Sequence, residues 1–333
     1  MSIDYFLTRS KKFSKNRLWL TVLFFLFTCF FTLNTALPVP GQEQAPGTAA
    51  NPQKQDVRNE KIVQGQNLYP PAFDWRNVGG HNFVTSVKDQ RDCSSCTAFA
   101  VAAALEVNSR ILLNLPNKDV EAFSDLSEST LFFCNCSNCS LPLLIEDAIQ
   151  YCIKTGLGPD TNYYDDILDG CAGDHRSDPC KKKIDDFREK KCNEQGKSFV
   201  KILNYVTMTN ASRIKQWLAT KGPVVFPILV GKDTFDNFKG SGLYKRKEGE
   251  STYSHTVCCI GYDDLKGAWL IKNSMGKDWG DNGYFWLPYH KSVGFQRSGL
   301  IAYGFDGLKI YREDADTLAP TKEDEHNAGE FHD

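Results

Sequence analysis

The chain has 333 residues, enough for one large or two small domains. Its 39 basic and 41 acidic side chains nearly cancel, which removes any case for nucleic-acid binding through bulk charge. Twelve cysteines and six tryptophans, together with an N-terminal targeting-type segment, point to an oxidising compartment.

Residues 1–17 carry Arg9, Lys11, Lys12, Lys15 and Arg17 against one acid, Asp4, and an apolar run from Leu18 to Leu33 follows. A basic flank before an apolar core is the pattern of a signal sequence. The run is about as short as a spanning helix allows, and Asn34-Thr35-Ala36 is an imperfect cleavage site, so residues 1–37 read as a signal peptide or a signal anchor. Either way the basic flank stays cytosolic and the rest of the chain crosses the membrane. Residues 38–68, rich in Pro, Gln, Gly, Ala and Asn, read as a short disordered pro or linker segment. Residues 311–333 are charged and apolar-poor and read as an acidic, solvated tail.

The folded body is then 69–310. Its first half is helix-prone, with apolar spacings of three and four over 95–113 and 143–155. Its second half is strand-prone: Pro223–Val230, His255–Tyr262, Ala268–Lys272 and Gly283–Leu287 are short apolar or aromatic runs broken by Gly and Asp. Helices first and strands later suggest an α+β fold with two lobes.

The stretch Gln90-Arg91-Asp92-Cys93-Ser94-Ser95-Cys96-Thr97-Ala98-Phe99 runs into the strong helix formers Ala100–Glu106. Cys96 is therefore expected at or just inside a helix N-terminus, where exposed N–H groups and the helix dipole favour an anion. A thiol so placed has a depressed pKa and attacks more readily. Gln90 can bring an amide donor to whatever Cys96 attacks. On this stretch alone a redox Cys-x-x-Cys pair and half of a metal site stay open beside catalysis.

A nucleophilic thiol needs a base. Of six histidines only His255 precedes a buried strand-like run, Thr256–Tyr262. After a second predicted strand, Asn273 would lie beside His255 if the two strands pair, and could orient its ring. An ordinary strand-end histidine remains the competing reading of His255 taken alone.

Several motifs occur together and in order: Phe73-Asp74-Trp75-Arg76, Gln90-x-x-Cys93-x-Ser95-Cys96-x-Ala98-Phe99, Leu126-Ser127-Glu128, His255-x-Val257, and Lys272-Asn273-Ser274-x-Gly276-x-x-Trp279-Gly280-x-x-Gly283-Tyr284. Over about residues 70–310 the chain resembles the papain family of cysteine peptidases. The resemblance implies a two-lobe α+β fold, with a helical left lobe at about 80–195, a β-barrel-like right lobe at about 196–310, and the active-site cleft between them. It implies Cys96 as nucleophile, His255 as general acid/base and Asn273 as the group orienting it. Gln90 becomes the oxyanion donor with the Cys96 backbone N–H, and Trp279 lines the leaving-group side. The implied reaction is endopeptidase hydrolysis of peptides or proteins through a thioester on a monomer, with no metal, no organic cofactor and no nucleic-acid partner. Membrane association follows only if the N-terminal segment is uncleaved, and the expected location is the secretory pathway, extracellular or lysosomal.

The chain departs from the family pattern at Ser94, Thr97, Met275 and Cys139-Ser140-Leu141-Pro142. Leu141 and Pro142 stand where the family has two glycines, the second of which binds substrate backbone, and proline has no N–H to donate. The alternative reading is therefore a papain-fold binding or scaffold protein with weak or no hydrolysis. By resemblance Cys93 pairs with Cys139 and Cys134 with Cys171. Cys180 with Cys192 and Cys136 with Cys152 complete four bridges, and Cys258 and Cys259 remain as buried thiols. Asn210 is the best of three glycosylation sequons, the others starting at Asn135 and Asn138.

Overall fold

The computed structural model describes residues 69–116, 125–135, 139–159, 167, 178–192, 199–289 and 300–311. The expectations for 1–37, 38–68 and the tail beyond Tyr311 fall outside these residues, as do Cys136, Asn138 and Cys171. Among the described residues no helix is long and apolar enough to cross a membrane.

The helices are α1 (Cys96–Leu112), α2 (Glu128–Phe133), α3 (Ile145–Lys154), α4 (Asp178–Phe187), α5 (Ala211–Thr220) and α6 (Lys232–Asp236), with a π-helical turn at Arg188–Cys192. The strands are β1 (Ala72–Asp74), β2 (Val200–Met208), β3 (Val224–Gly231), β4 (Thr252–Asp263), β5 (Ala268–Lys272), β6 (Tyr284–Pro288) and β7 (Ala302–Ile310). They form one antiparallel sheet in the order β2-β7-β3-β4-β5-β6, with β1 added to β4. β2 and β7 pair with each other but are absent from the strands read off the sequence. β2 alternates poorly between buried and exposed, and β7 contains Gly304, Asp306 and Gly307, all poor strand formers.

Helix α1 is the axis of the helical lobe. Every residue from Cys96 to Arg110 is buried, as expected of a helix hydrophobic nearly all round. The small side chains Ala98, Ala100, Ala102, Ala103 and Ala104 share one apolar core with Cys258 and Ile260 of β4. Helix α2 starts on Ser127, whose Oγ accepts the Thr130 N–H at 3.2 Å. A second core under the sheet gathers Phe226, Phe235, Tyr244, Trp269, Trp279 and Phe285. Gly261 lets β1 approach β4: a Cβ there would lie 2.2 Å from the Phe73 carbonyl oxygen.

The disulfides agree with the sequence reading at one bridge and correct it at others. Cys93 is joined to Cys139. Cys134 is joined to Cys192, not to Cys171. The reason is a continuous helical run from Asp178 to Cys192 that places Cys180 and Cys192 at opposite ends. Twelve residues of helix span about 18 Å, far beyond the roughly 4.4–6.8 Å that a bridge allows between Cα atoms. The same run lays the Arg188 Nε–H on the Phe133 carbonyl at 3.0 Å, bringing Cys192 to Cys134. Cys180 is also disulfide-bonded. Cys152 is a free buried thiol on α3, not a partner of Cys136, and Cys258 and Cys259 are free and buried.

Candidate active site

The site forms where the start of α1 meets the start of the buried part of β4. Cys96 is the first residue of α1, and His255 is the fourth of β4. Strands β4 and β5 pair antiparallel with Cys258 opposite Lys272. Asn273, one residue past Lys272, is thus a diagonal neighbour of His255 on one face of the sheet. The His255 Nε2–Asn273 Oδ1 distance is 2.8 Å. Asparagine oxygen can only accept, so Nε2 carries a proton and Nδ1 is left for the thiol.

Cys96, His255 and Asn273 are 8, 4 and 3 % exposed, so their charges interact through protein more than through water. Burial alone would push the Cys96 thiol up. The hydrogen bond and charge of His255, with backbone and side-chain hydrogen bonds involving Thr256, outweigh it and hold the thiol below its ordinary value. Burial would likewise pull His255 down. The hydrogen bond and charge of Cys96, the Asn273 hydrogen bond and the charge of Asp236 hold it above its ordinary value. The two shifts share the Cys96–His255 contact, in which thiolate and imidazolium stabilise each other as an ion pair. Thr256, whose Oγ1 lies 3.1 Å from Thr97 Oγ1, joins the site from β4.

Gln90 is held at both ends of its amide. Its Nε2 donates to the Cys93 carbonyl at 2.8 Å, and its Oε1 accepts from Ser274 Oγ at 2.6 Å. The backbone N–H of Gln90 donates to the Ser274 carbonyl at 2.8 Å, tying the loop before Cys96 to the residue after Asn273. The Ser94 N–H reaches the Cys139 carbonyl at 3.2 Å, so the bridge and the backbone hold the same two loops together. On that second loop Leu141 is 59 % exposed and Pro142 is exposed, beside the nucleophile loop.

Trp279 is only 5 % exposed. Its indole N–H donates to the Phe235 carbonyl at 2.7 Å, and its ring lies 4.7 Å from that of Phe235. Phe235 in turn packs edge-on against His255 at 5.2 Å, and Tyr253 lies 6.4 Å from the imidazole. These two aromatics flank the histidine, while Met275 packs at the margin of the second core. The sequence reading missed Phe235, Tyr253, Asp236 and Thr256. The only signal for them was the aromatic-rich context of 235–253 and the hydroxyl following His255.

Beneath the site lies a buried charge cluster that sequence reasoning also missed. Lys88 Nζ contacts Glu106 Oε1 at 3.3 Å, Glu128 Oε1 at 2.8 Å and Asp125. Glu106 also accepts from Thr85 Oγ1 and from the Leu126 N–H at 3.0 Å, and Lys272 Nζ donates to Thr85 Oγ1 at 2.7 Å. The cluster ties the loop carrying Gln90 to α1 and to β5, just before Asn273. Burial acts to raise the Glu106 carboxyl, but Lys88, Lys272 and Thr85 hold it below its ordinary value. Its contribution to stability is therefore present above the unfolded carboxylate pKa of about 4.3, and is lost as pH falls through the lower folded value. Glu106→Gln leaves Lys88 and Lys272 short of a buried counter-charge and is expected to cost about 3–5 kcal/mol of unfolding free energy. Urea titrations at pH 7 and pH 3 check this: the gap between wild type and variant should be wide at pH 7 and smaller at pH 3. An equal gap at both would refute it.

Comparison with known proteins places this geometry in context. The profile described as papain family cysteine protease matches residues 69–302. Pro-cathepsin H of Bos taurus is 30 % identical over 252 residues, covering 73 % of this chain and 67 % of its own length. Cysteine proteinase 1 of Entamoeba histolytica is 32 % identical over 222 residues, covering 65 % of this chain and 62 % of its own. Among solved structures, the cysteine protease CMS1MS2 of Carica candamarcensis, determined in complex with E-64, superposes with a TM-score of 0.51 at 23 % identity, over 71 % of this chain and 98 % of that one. Xylellain, a cysteine protease from Xylella fastidiosa, gives 0.52 at 23 % identity, over 72 % and 87 %. At such identities the structural likeness speaks for the two-lobe α+β fold.

Proposed function

Because the chain belongs to the papain family of cysteine proteases, we propose that it hydrolyses peptide bonds as an endopeptidase, with Cys96 as nucleophile and His255 as acid/base. The observation that carries this reading is the Cys96–His255–Asn273 array, with the thiol held low and the imidazole held high. The Cys96 thiolate attacks the scissile carbonyl carbon, and an S–C bond forms as the carbonyl π pair moves to oxygen. Collapse breaks the C–N bond, and the leaving amine takes the imidazolium proton. Water, giving a proton to the neutral imidazole, then adds to the thioester. The C–S bond breaks, releasing the acid and restoring the ion pair. Asn273 keeps the ring aimed throughout by accepting from Nε2.

In this reading the oxyanion meets the Cys96 backbone N–H, which lies among the orphan donors at the start of α1, and the Gln90 amide. Gln90→Ala is expected to lower kcat by about 10²–10³-fold while alkylation of Cys96 by iodoacetamide persists, since displacement of iodide by the thiolate builds no oxyanion. Stopped-assay kinetics alongside thiol labelling check both; equal loss of both would remove the assignment. Trp279 serves the leaving-group side through Phe235, whose carbonyl and ring it holds.

The exposed Leu141 and the donor-less Pro142 support a second reading, a papain-fold protein that binds peptides without turning them over readily. A peptide library assayed at pH 5 and pH 7 separates the two, since rapid cleavage removes the second. A secretory-pathway location accords with the disulfides. We place a glycan at Asn210, an exposed helix cap whose Oδ1 accepts from Ser212 and Arg213 N–H. The Asn135 side chain instead donates its amide to the Asp147 carbonyl at 3.2 Å.

A further inference from the structure

Helix α6 ends at Phe235 and Asp236, beside His255. Phe235 is fully buried and is fixed by its ring contact with His255 and by the indole N–H of Trp279 on its carbonyl. The next residue, Asp236, is therefore held in place by its neighbour yet turned to solvent. Its Oδ1 accepts from Tyr253 Oη–H at 2.7 Å, and the Tyr253 ring flanks the same imidazole. Among the described residues no cation pairs with Asp236. Its negative charge reaches the imidazole, since it is one of the influences that hold His255 protonated.

The geometry of the reaction says what passes this carboxylate. His255 must hand its proton to the departing amine, so the residue on the leaving side of the scissile bond lies against the imidazole and its flank. That flank is built by Phe235, Tyr253 and Asp236. A long cationic side chain there would find an anchored, unneutralised carboxylate, and an anionic one would be repelled by it. We propose that Asp236, oriented by Tyr253, is a specificity determinant that selects substrates with lysine or arginine immediately after the scissile bond. Tyr253 is a positioning residue: it acts on substrate through Asp236.

This inference rests on the cysteine-peptidase reading, and its test separates the two. Three fluorogenic peptides share one acyl side and carry Lys, Gln or Glu after the scissile bond, and an aryl amide with the same acyl side has no residue there. The expected result is kcat/KM for the Lys peptide about tenfold above that for the Glu peptide, with Gln between and the spread shrinking in 0.5 M salt as exposed charges are screened. In Asp236→Asn the Lys-to-Glu ratio should fall to within about twofold, and in Tyr253→Phe to an intermediate value, because the charge stays but its anchor goes. The wild-type series needs no variant to fold. Equal kcat/KM for the three peptides with the aryl amide cleaved, or a ratio unchanged in Asp236→Asn, overturns this proposal and leaves the peptidase reading standing. No cleavage of any substrate overturns both.

Discussion

Cys96→Ala is expected to lower kcat/KM for peptide hydrolysis by on the order of 10⁶-fold, as loss of the nucleophile does in other hydrolases with a nucleophile–histidine pair. That is about 8 kcal/mol of transition-state stabilisation. The variant should fold, because alanine is the best helix former and Cys96 opens a helix already rich in alanine. It should also lose the site of modification by an epoxysuccinyl reagent or by iodoacetamide near pH 6. Selectivity follows from the other free thiols among the described residues. Cys152, Cys258 and Cys259 are buried, and burial pushes Cys152 and Cys259 far up and Cys258 up to about 12. Among the described residues only Cys96 combines a lowered pKa with a place at the site. Intact-mass measurement after labelling should show one adduct fewer on the variant than on wild type. An unlabelled wild type, or an active variant, would overturn the assignment.

His255→Ala should act on two steps at once. Without the imidazolium the thiol keeps its burial and loses the hydrogen bond and charge of His255, leaving only the Thr256 hydrogen bonds to oppose burial, so its pKa rises. Less of the thiol is then thiolate at pH 6, so alkylation should slow there and recover only as pH approaches the ordinary thiol range. Hydrolysis should fall further, by about 10⁴-fold or more in total, because the proton donor for the leaving amine is gone as well. Wild-type alkylation should begin below the ordinary thiol range and persist on the acid side until Cys96 is protonated. Hydrolysis should show a plateau between the lowered thiol and the raised imidazolium, falling as pH leaves it on either side. Alkylation rates from pH 4 to 10 provide the measurement. A His255→Ala profile that matches wild type would show that the pair is not coupled.

Asn273 illustrates how far pattern reading reaches. Two short apolar runs predicted as paired strands put Asn273 near His255, and the antiparallel register realises that placement at 2.8 Å. The nucleophile helix was as legible, since Ser95-Cys96 ahead of an alanine run marks a helix start and α1 begins at Cys96. β2 and β7 were not legible, because glycines and a broken alternation hide strands that exist only by pairing with each other. The Cys134 bridge was misread for a similar reason. Its partner depends on a helical run carrying Cys192 across to α2, and spacing along the chain contains no such distance.

What the sequence determined by itself is therefore the local chemistry and its order: the thiol at a helix start, the histidine at a strand, the asparagine beyond the next strand, and the family they belong to. These are short-range patterns, in which propensity and periodicity dominate. The tertiary structure alone decided what surrounds them. Phe235, Asp236 and Tyr253 reach the imidazole from a different helix and from the exposed start of β4. Lys88, Glu106, Glu128 and Lys272 meet beneath the site from four separate segments. Such neighbours are set by packing and by the cost of leaving a buried charge unpaired, and neither quantity exists until distant segments are brought together.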